Sequence, residues 1–322
     1  MRAARITTLD GPEAIEIGEV DDVVPEPAQV LIEVRAAGVA FPDVLLTRGE
    51  YQYKPPLPFV PGAEVAGVVV SAPAGSQFSP GQRVAAFPMF GGFAERVACV
   101  PELVFPLPDQ VSFAEGAALP LNYLTVQFAL VRRARLAAGQ TVLVHGAAGG
   151  IGTAAIQLAT ALGAQVIAVV STLEKGDVAQ KAGARHVVLA DNFLAAVKDL
   201  TGGAGVDVVV DPVGGDRFTD SLRALGPEGQ LLVIGFTGGE IPTVKVNRLL
   251  LNNTSVVGVG WGAFTLPRLS LAREQWDFLL PHIASGALVP PVGATYPLSD
   301  LTSALRDIDE RRATGKIVLT LE

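Results

Sequence analysis

Two groups of residues in this chain have types and spacings that can do chemistry. The first is Val144-His145-Gly146-Ala147-Ala148-Gly149-Gly150-Ile151-Gly152. It follows the apolar run Thr141-Val142-Leu143-Val144 and precedes a stretch in which Ile151, Ala155, Leu158, Ala159 and Leu162 recur at helical spacing. A strand, a glycine turn and a helix present backbone N–H groups and the positive end of a helix dipole to a diphosphate. Gly149, Gly150 and Gly152 let the backbone turn sharply and come close to such a ligand. The G-x-G-x-x-G pattern would place its first glycine at position 147, which is alanine, so two of its three glycines stand.

The second group selects among nucleotides. The next apolar run, Gln165 to Val170, ends at Ser171-Thr172, with Lys175 one turn further on. An NAD site carries Asp or Glu about 20 residues beyond the glycine turn, to accept from the ribose 2′-hydroxyl. Here two hydroxyls and an ammonium can donate to a 2′-phosphate that a carboxylate would repel. NADPH/NADP+ is therefore the expected cofactor. Ser171 or Thr172 can equally cap the following helix, with Lys175 in solvent, and the two uses are compatible. Glu174 weakens the phosphate reading if its side chain turns inward.

Composition removes several other functions. The 322 residues are 49% hydrophobic and 17% charged, as expected of a well-buried chain long enough for two domains. A net charge of −8 gives no basic footprint for nucleic acid. The apolar runs around 117–130 and 163–170 are broken by polar, Gly or Pro residues, so they read as core and not as membrane spans. One cysteine, Cys99, excludes an intrachain disulfide and any multi-cysteine metal site, and no secretory signal is evident, so a cytoplasmic location is expected. Cys99 has no neighbouring His to activate it and reads as packing.

The elements around these groups change character along the chain. Residues 1–118 carry short strand candidates at Val30–Val34, Glu64–Val70, Arg83–Phe87 and Ala94–Val100, punctuated by Gly and Pro, and predict a mostly β domain. Residues 119–260 alternate strands at 141–145, 165–170, 186–189, 206–210, 230–235 and 255–259 with helical patterns. That alternation predicts a six-stranded parallel sheet covered on both faces. Helices at 270–285 and 298–311 and a short strand at 316–321 follow. This tail is expected to rejoin the first domain, making 1–118 plus 261–322 discontinuous around an inserted 119–260.

Over its full length the sequence resembles the medium-chain dehydrogenase/reductase superfamily, and within it the zinc-free quinone oxidoreductase branch. The resemblance is carried by Gly38-Val39-Ala40-Phe41-Pro42-Asp43, Gly49-Glu50-Tyr51, Leu57 to Glu64 and Gly91-Gly92-Phe93-Ala94-Glu95. Leu119 to Thr125, the glycine turn, Asp211-Pro212-Val213-Gly214-Gly215 and Gly235-Phe236 carry it further. It implies an α/β chain with a GroES-like, mostly β catalytic domain interrupted by a Rossmann domain, and a homodimer formed through the edges of the nucleotide sheets. Zinc relatives have Cys at the position of Ala40 and His at that of Ala63, and neither alanine can bind a metal. His145, His186 and His282 offer no ligand spacing, and His145 reads as packing. No zinc is expected.

Without a Lewis acid the accessible chemistry is conjugate reduction of a quinone, an enone or another α,β-unsaturated carbonyl. Tyr51 resembles by position the tyrosine of related enoyl-thioester reductases, where it delivers a proton or polarises a carbonyl; packing between turns is its other reading. Asn122 and Thr125 resemble residues near the nicotinamide, with Asn122 also readable as a cap. Gly235, Phe236 and Thr237, with Asp211 to Gly214, are expected to close around ribose and nicotinamide. Ala40, Phe41, Tyr53, Phe93, Trp261 and Phe264 are pocket walls or plain core. Two other functions remain open: an enoyl-CoA reductase with little quinone activity, and a non-catalytic NADPH-binding protein.

Overall fold

The computed structural model describes residues 1–321, in two compact units. The first comprises Met1–Leu121, Arg268–Asp277 and the chain from Pro290 onward; the second comprises Asn122–Pro267 and Phe278–Val289. Relative to the expected limits, Trp261–Pro267 and Phe278–Val289 fall in the second unit and not the first.

The first unit opens with β1 (Arg2–Ile6), β2 (Ile15–Glu19), β3 (Val30–Val39), α1 (Phe41–Thr47), β4 (Glu64–Ser71), β5 (Arg83–Ala86), β6 (Arg96–Cys99), β7 (Val104–Pro106) and α2 (Phe113–Ala117). The strand expected at Val30–Val34 runs five residues further, because β4 pairs with it as far as Gly38↔Glu64. Ser112 and Glu115 start α2 with a reciprocal cap: the Glu115 N–H donates to Ser112 Oγ at 3.2 Å, and the Ser112 N–H to Glu115 Oε2 at 2.8 Å.

The second unit follows with α3 (Pro120–Gln127), a π-helical turn (Phe128–Arg133), β8 (Thr141–Val144), α4 (Gly150–Ala161), β9 (Gln165–Val170), α5 (Leu173–Lys181), β10 (His186–Leu189) and α6 (Phe193–Leu200). It continues through β11 (Val206–Asp211), α7 (Phe218–Ala224), β12 (Leu225–Val233), α8 (Asn247–Asn252), β13 (Ser255–Gly258) and α9 (Trp261–Thr265). Its sheet runs β10-β9-β8-β11-β12-β13, every pair parallel, the doubly wound order of a complete dinucleotide-binding domain. Alternate strand residues serve alternate faces. Leu143, Ile167, Val169, Val209 and Leu231 pack with Phe193 and Val197 of α6 and with Phe218 and Leu222 of α7. Both faces are apolar, which is why these strands read as continuous runs.

The chain then returns through α10 (Ser270–Ala284), β14 (Val292–Pro297), α11 (Leu301–Asp309) and β15 (Lys316–Thr320). In the first unit the sheet order is β14-β15-β3-β4-β5-β7, with β6 also paired to β3. The first half of α10 is fixed there by Trp276, which is fully buried and stacks on Phe105 with centroids 4.6 Å apart. Its indole N–H donates to the Pro106 carbonyl at 3.3 Å. Such a stacked pair contributes on the order of 1 kcal/mol beyond its burial.

Candidate active site

In the second unit the glycine turn lies at the carboxyl end of β8, in the place where open α/β sheets hold ligands. The His145 N–H donates to Val210 of β11 at 3.0 Å and the Ala147 N–H to Val169 of β9 at 3.2 Å, so both neighbouring strands hold the turn. Gly149 is the N-cap of α4 and offers no side chain to the N–H groups of Gly150, Ile151 and Gly152. The first N–H groups of a helix have no intrahelical acceptor, and here they are left for a ligand. A Cβ on Gly152 would fall on the Gly146 carbonyl oxygen and 2.6 Å from Ala147 Cα. A Cβ on Gly150 would strike the amide of Asn122. Asn122, buried on α3, thus lies beside the turn and packs on Gly150 rather than capping. Thr125 is buried one turn later on the same helix.

Ser171 and Thr172 follow β9 and are exposed; Lys175 is half-buried. Thr172 caps α5, accepting from the Lys175 N–H at 3.3 Å. Glu174 is exposed. Its own backbone N–H, and after it the Thr172 hydroxyl, hold its carboxyl below the usual range. At the end of β11, Asp211 Oδ1 accepts from the N–H groups of Val213 and Gly214, both at 2.9 Å. Thr237 donates through its N–H and its hydroxyl to the Pro212 carbonyl, both at 3.1 Å, which braces the Gly235-Phe236-Thr237 turn against the Asp211–Gly214 turn. The glycine turn, Ser171–Lys175, Asp211–Gly214 and Gly235–Thr237 therefore all stand at carboxyl ends of one sheet. A groove of about 320 Å³ lined by Thr141, Gln165, His186, Thr201 and Asp207 lies at the opposite, amino ends and has no part in this arrangement.

Trp261 is only 3% exposed, and the Phe264 ring packs on Phe128 at 5.1 Å beneath the Arg132 guanidinium. His145 is buried, with Nε2 2.8 Å from Ser221 Oγ of α7 and its ring edge-on to Phe193. Burial pushes it down to about 4, against the pull of Asp211, so it is a neutral packing residue as expected. In the first unit Cys99 is buried, and burial pushes its thiol far up, which makes it a poor nucleophile.

Also in the first unit, Ala40, Phe41, Tyr51 and Tyr53 are partly exposed, and the two tyrosine rings lie 5.9 Å apart. Phe93 is fully buried and packs on Gly62, and Trp261 is buried too, which agrees with the core reading of the two left open for them. Behind Ala40 lies a group that sequence reasoning missed. Asp43, in the first turn of α1, accepts the Ala40 N–H on Oδ2 at 2.8 Å, while its Oδ1 has no hydrogen-bond partner. Glu64 of β4 accepts the Leu121 N–H at 2.8 Å and pairs with the Lys316 ammonium of β15. All three side chains are at most 4% exposed. Burial pushes the Asp43 carboxyl up to about 7, and the Glu64 charge adds to this against the Ala40 N–H and the Lys316 charge. The only hint in the sequence was an acid, Glu64, heading the apolar run of β4.

Among the described residues no group of three or more His, Cys, Asp or Glu could hold a metal ion. Alanine at positions 40 and 63 offers no donor atom there.

A GroES-like sheet unit interrupted by a doubly wound dinucleotide unit defines a medium-chain dehydrogenase/reductase. Two family models match accordingly: the alcohol dehydrogenase GroES-like domain over residues 26–109 and the zinc-binding dehydrogenase over residues 150–284. Quinone oxidoreductase-like protein 2 of Rattus norvegicus is 38% identical, the alignment covering 100% of this chain and 92% of that protein. A probable oxidoreductase from Mycobacterium abscessus is 48% identical at a TM-score of 0.92, covering 100% and 99%. The quinone oxidoreductase of Thermus thermophilus, solved also in complex with NADPH, is 34% identical at a TM-score of 0.86, covering both chains fully. The chain belongs to the quinone oxidoreductase branch of this superfamily.

Proposed function

We propose that the protein is an NADPH-dependent oxidoreductase that reduces a quinone or an activated α,β-unsaturated carbonyl without zinc. The observation that carries this reading is the open helix start at Gly150–Gly152, with Ser171, Thr172 and Lys175 at the end of the next strand. The glycine turn fits a diphosphate, since no side chain caps the first N–H groups of α4. Ser171, Thr172 and Lys175 would hold the 2′-phosphate by donation and charge. When bound, NADPH supplies a hydride. Thr125, Gly235, Phe236 and Thr237 would border its ribose and nicotinamide. Ala40, Phe41 and Tyr53 would flank the acceptor, and Tyr51 would donate to its oxygen.

The test is NADPH and NADH binding by calorimetry, followed by initial rates on a panel of quinones, enones and enoyl-CoA esters. NADPH should bind at least about ten-fold more tightly than NADH, a difference of about 1.4 kcal/mol. Turnover of enoyl-CoA esters alone would favour the enoyl-thioester reductase. Tight NADPH binding with no turnover would favour a non-catalytic binding protein.

The same reading pairs two copies through the open edge of β13. Support comes from Ile241, Val246, Leu250 and Leu251, each at least 70% exposed in the segment leading into that strand. Among the described residues no helix is long and apolar enough to cross a membrane. A lone, buried cysteine fits the cytoplasm.

A further inference from the structure

The nucleotide turns leave one cavity of the second unit unused, the groove at the amino ends of its parallel sheet. Its volume of about 320 Å³ falls within the range of small-molecule sites. His186, Gln165, Thr141 and Asp207 line it from the starts of β10, β9, β8 and β11, four neighbouring strands. Strands stand about 4.8 Å apart, so the row from His186 to Asp207 spans about 14 Å.

The side chains of this row keep hydrogen-bonding groups that the fold does not use. Asp207 Oδ2 accepts the Thr141 N–H at 2.7 Å, which fixes the carboxylate across the start of β8. Its Oδ1 has neither a donor nor a cation among the described residues, and Asp207 is half-buried on the groove. The Thr141 hydroxyl beside it and the half-buried His186 imidazole likewise have no hydrogen-bond partner among the described residues. Arg185 cannot serve Asp207 while its guanidinium donates to Gln165 Oε1 at 2.7 Å, an arrangement that leaves Gln165 Nε2 as a further donor. Apolar surface borders the row: Leu200, at the end of α6, is 43% exposed, and Pro227 is exposed as well. A fixed carboxylate with one open oxygen, partly withdrawn from water, favours a charged N–H donor. The net charge of −8 draws cations to the chain as a whole.

We propose that this groove is a second small-molecule site, which takes an elongated organic cation with its ammonium on Asp207 Oδ1 and its apolar body along Leu200 and Pro227. The Thr141 hydroxyl is a second acceptor for the ammonium. The site lies at the opposite ends of the strands that carry the nucleotide turns, and it holds whether or not the protein is a reductase.

The experiment titrates the full chain with phenylbutylamine, an ammonium on a butyl arm ending in a phenyl ring. Phenylbutyrate, of similar shape and opposite charge, is the control. Amide NMR spectra of wild type, Asp207→Asn and Leu200→Ala report binding, each with and without NADPH. The amine should shift the amides of Thr141, Gly205 and Gly226 saturably, with a Kd on the order of 1 mM or tighter. Phenylbutyrate should bind at least about ten-fold more weakly. Asparagine keeps an oxygen for the Thr141 N–H, so Asp207→Asn leaves the start of β8 tied and should weaken the amine about ten-fold. Leu200→Ala should weaken it about three-fold. NADPH should leave both the shifts and the affinity unchanged.

Absence of saturation at concentrations on the order of 10 mM overturns the site. So does equal binding of phenylbutyrate, an unchanged affinity in Asp207→Asn, or displacement of the amine by NADPH. The contrast between amine and carboxylate needs no variant, so it decides the matter even where Asp207→Asn does not fold.

Discussion

Gly152 separates a glycine kept for the protein's own packing from one kept for a ligand. Its hydrogen faces the Gly146 carbonyl and Ala147 Cα, which are backbone and cannot swing aside. Gly152→Ala should open the turn, lower the melting temperature and weaken NADPH binding by about ten-fold or more, measured by calorimetry. Lys175→Ala should raise the KM for NADPH by about ten-fold and leave that for NADH unchanged, with the difference shrinking at high salt. Asp43 makes a prediction of opposite sign to most acids. Its folded pKa of about 7 lies above the ordinary 3.8, so its contribution to stability is lost as pH rises from about 4 to 7. Asp43→Asn should therefore melt above wild type near pH 8 and level with it near pH 4. The glycines and the Ser171–Lys175 group were legible because each lies in one short stretch. The Asp43, Glu64 and Lys316 group was not, because three remote segments supply it and each member alone looks like an ordinary surface charge.

Among the elements, β8 and α7 are joined through His145 and Ser221. The imidazole is held neutral by burial, with a folded pKa of about 4 against about 6.5 when unfolded. Between those values only the unfolded chain takes the proton, so stability is complete above about pH 6.5 and is lost as pH falls toward 4. The ceiling is on the order of 3 kcal/mol. Urea midpoints near pH 7.5 and pH 5 should differ less in His145→Asn than in wild type. The parallel strands could be read from sequence because burial on both faces makes them nearly uninterrupted apolar runs. The second half of β3 could not: Arg35, Ala36, Ala37 and Gly38 have weak strand preference and are held extended by β4 and β15. Helix α1 is seven residues long with Pro42 in its first turn, too short for a periodic signal. Helix α3 gives way to a wider turn from Phe128, a change of hydrogen-bond pitch that no side-chain pattern announces.

At the scale of the whole molecule, the doubly wound sheet and its place inside another unit were legible from the order of motifs. The exact limits were not, because α10 serves both units, its first half carrying Trp276 into the β unit and its second half belonging with the other. If two copies meet at β13, Leu250→Lys should convert a dimer into a monomer in sedimentation velocity. A monomeric wild type would remove that reading without touching the nucleotide site.

β3 is flanked on one side by β15, which a ribosome would deliver only after every strand of the parallel sheet. Until it emerges, the opening unit waits with a bare flank, whereas every strand of the parallel sheet, from Thr141 to Gly258, is already out. The newborn chain thus completes its middle before its beginning. Deleting Lys316–Thr320 would not trim a tail but strand the whole opening unit unfinished.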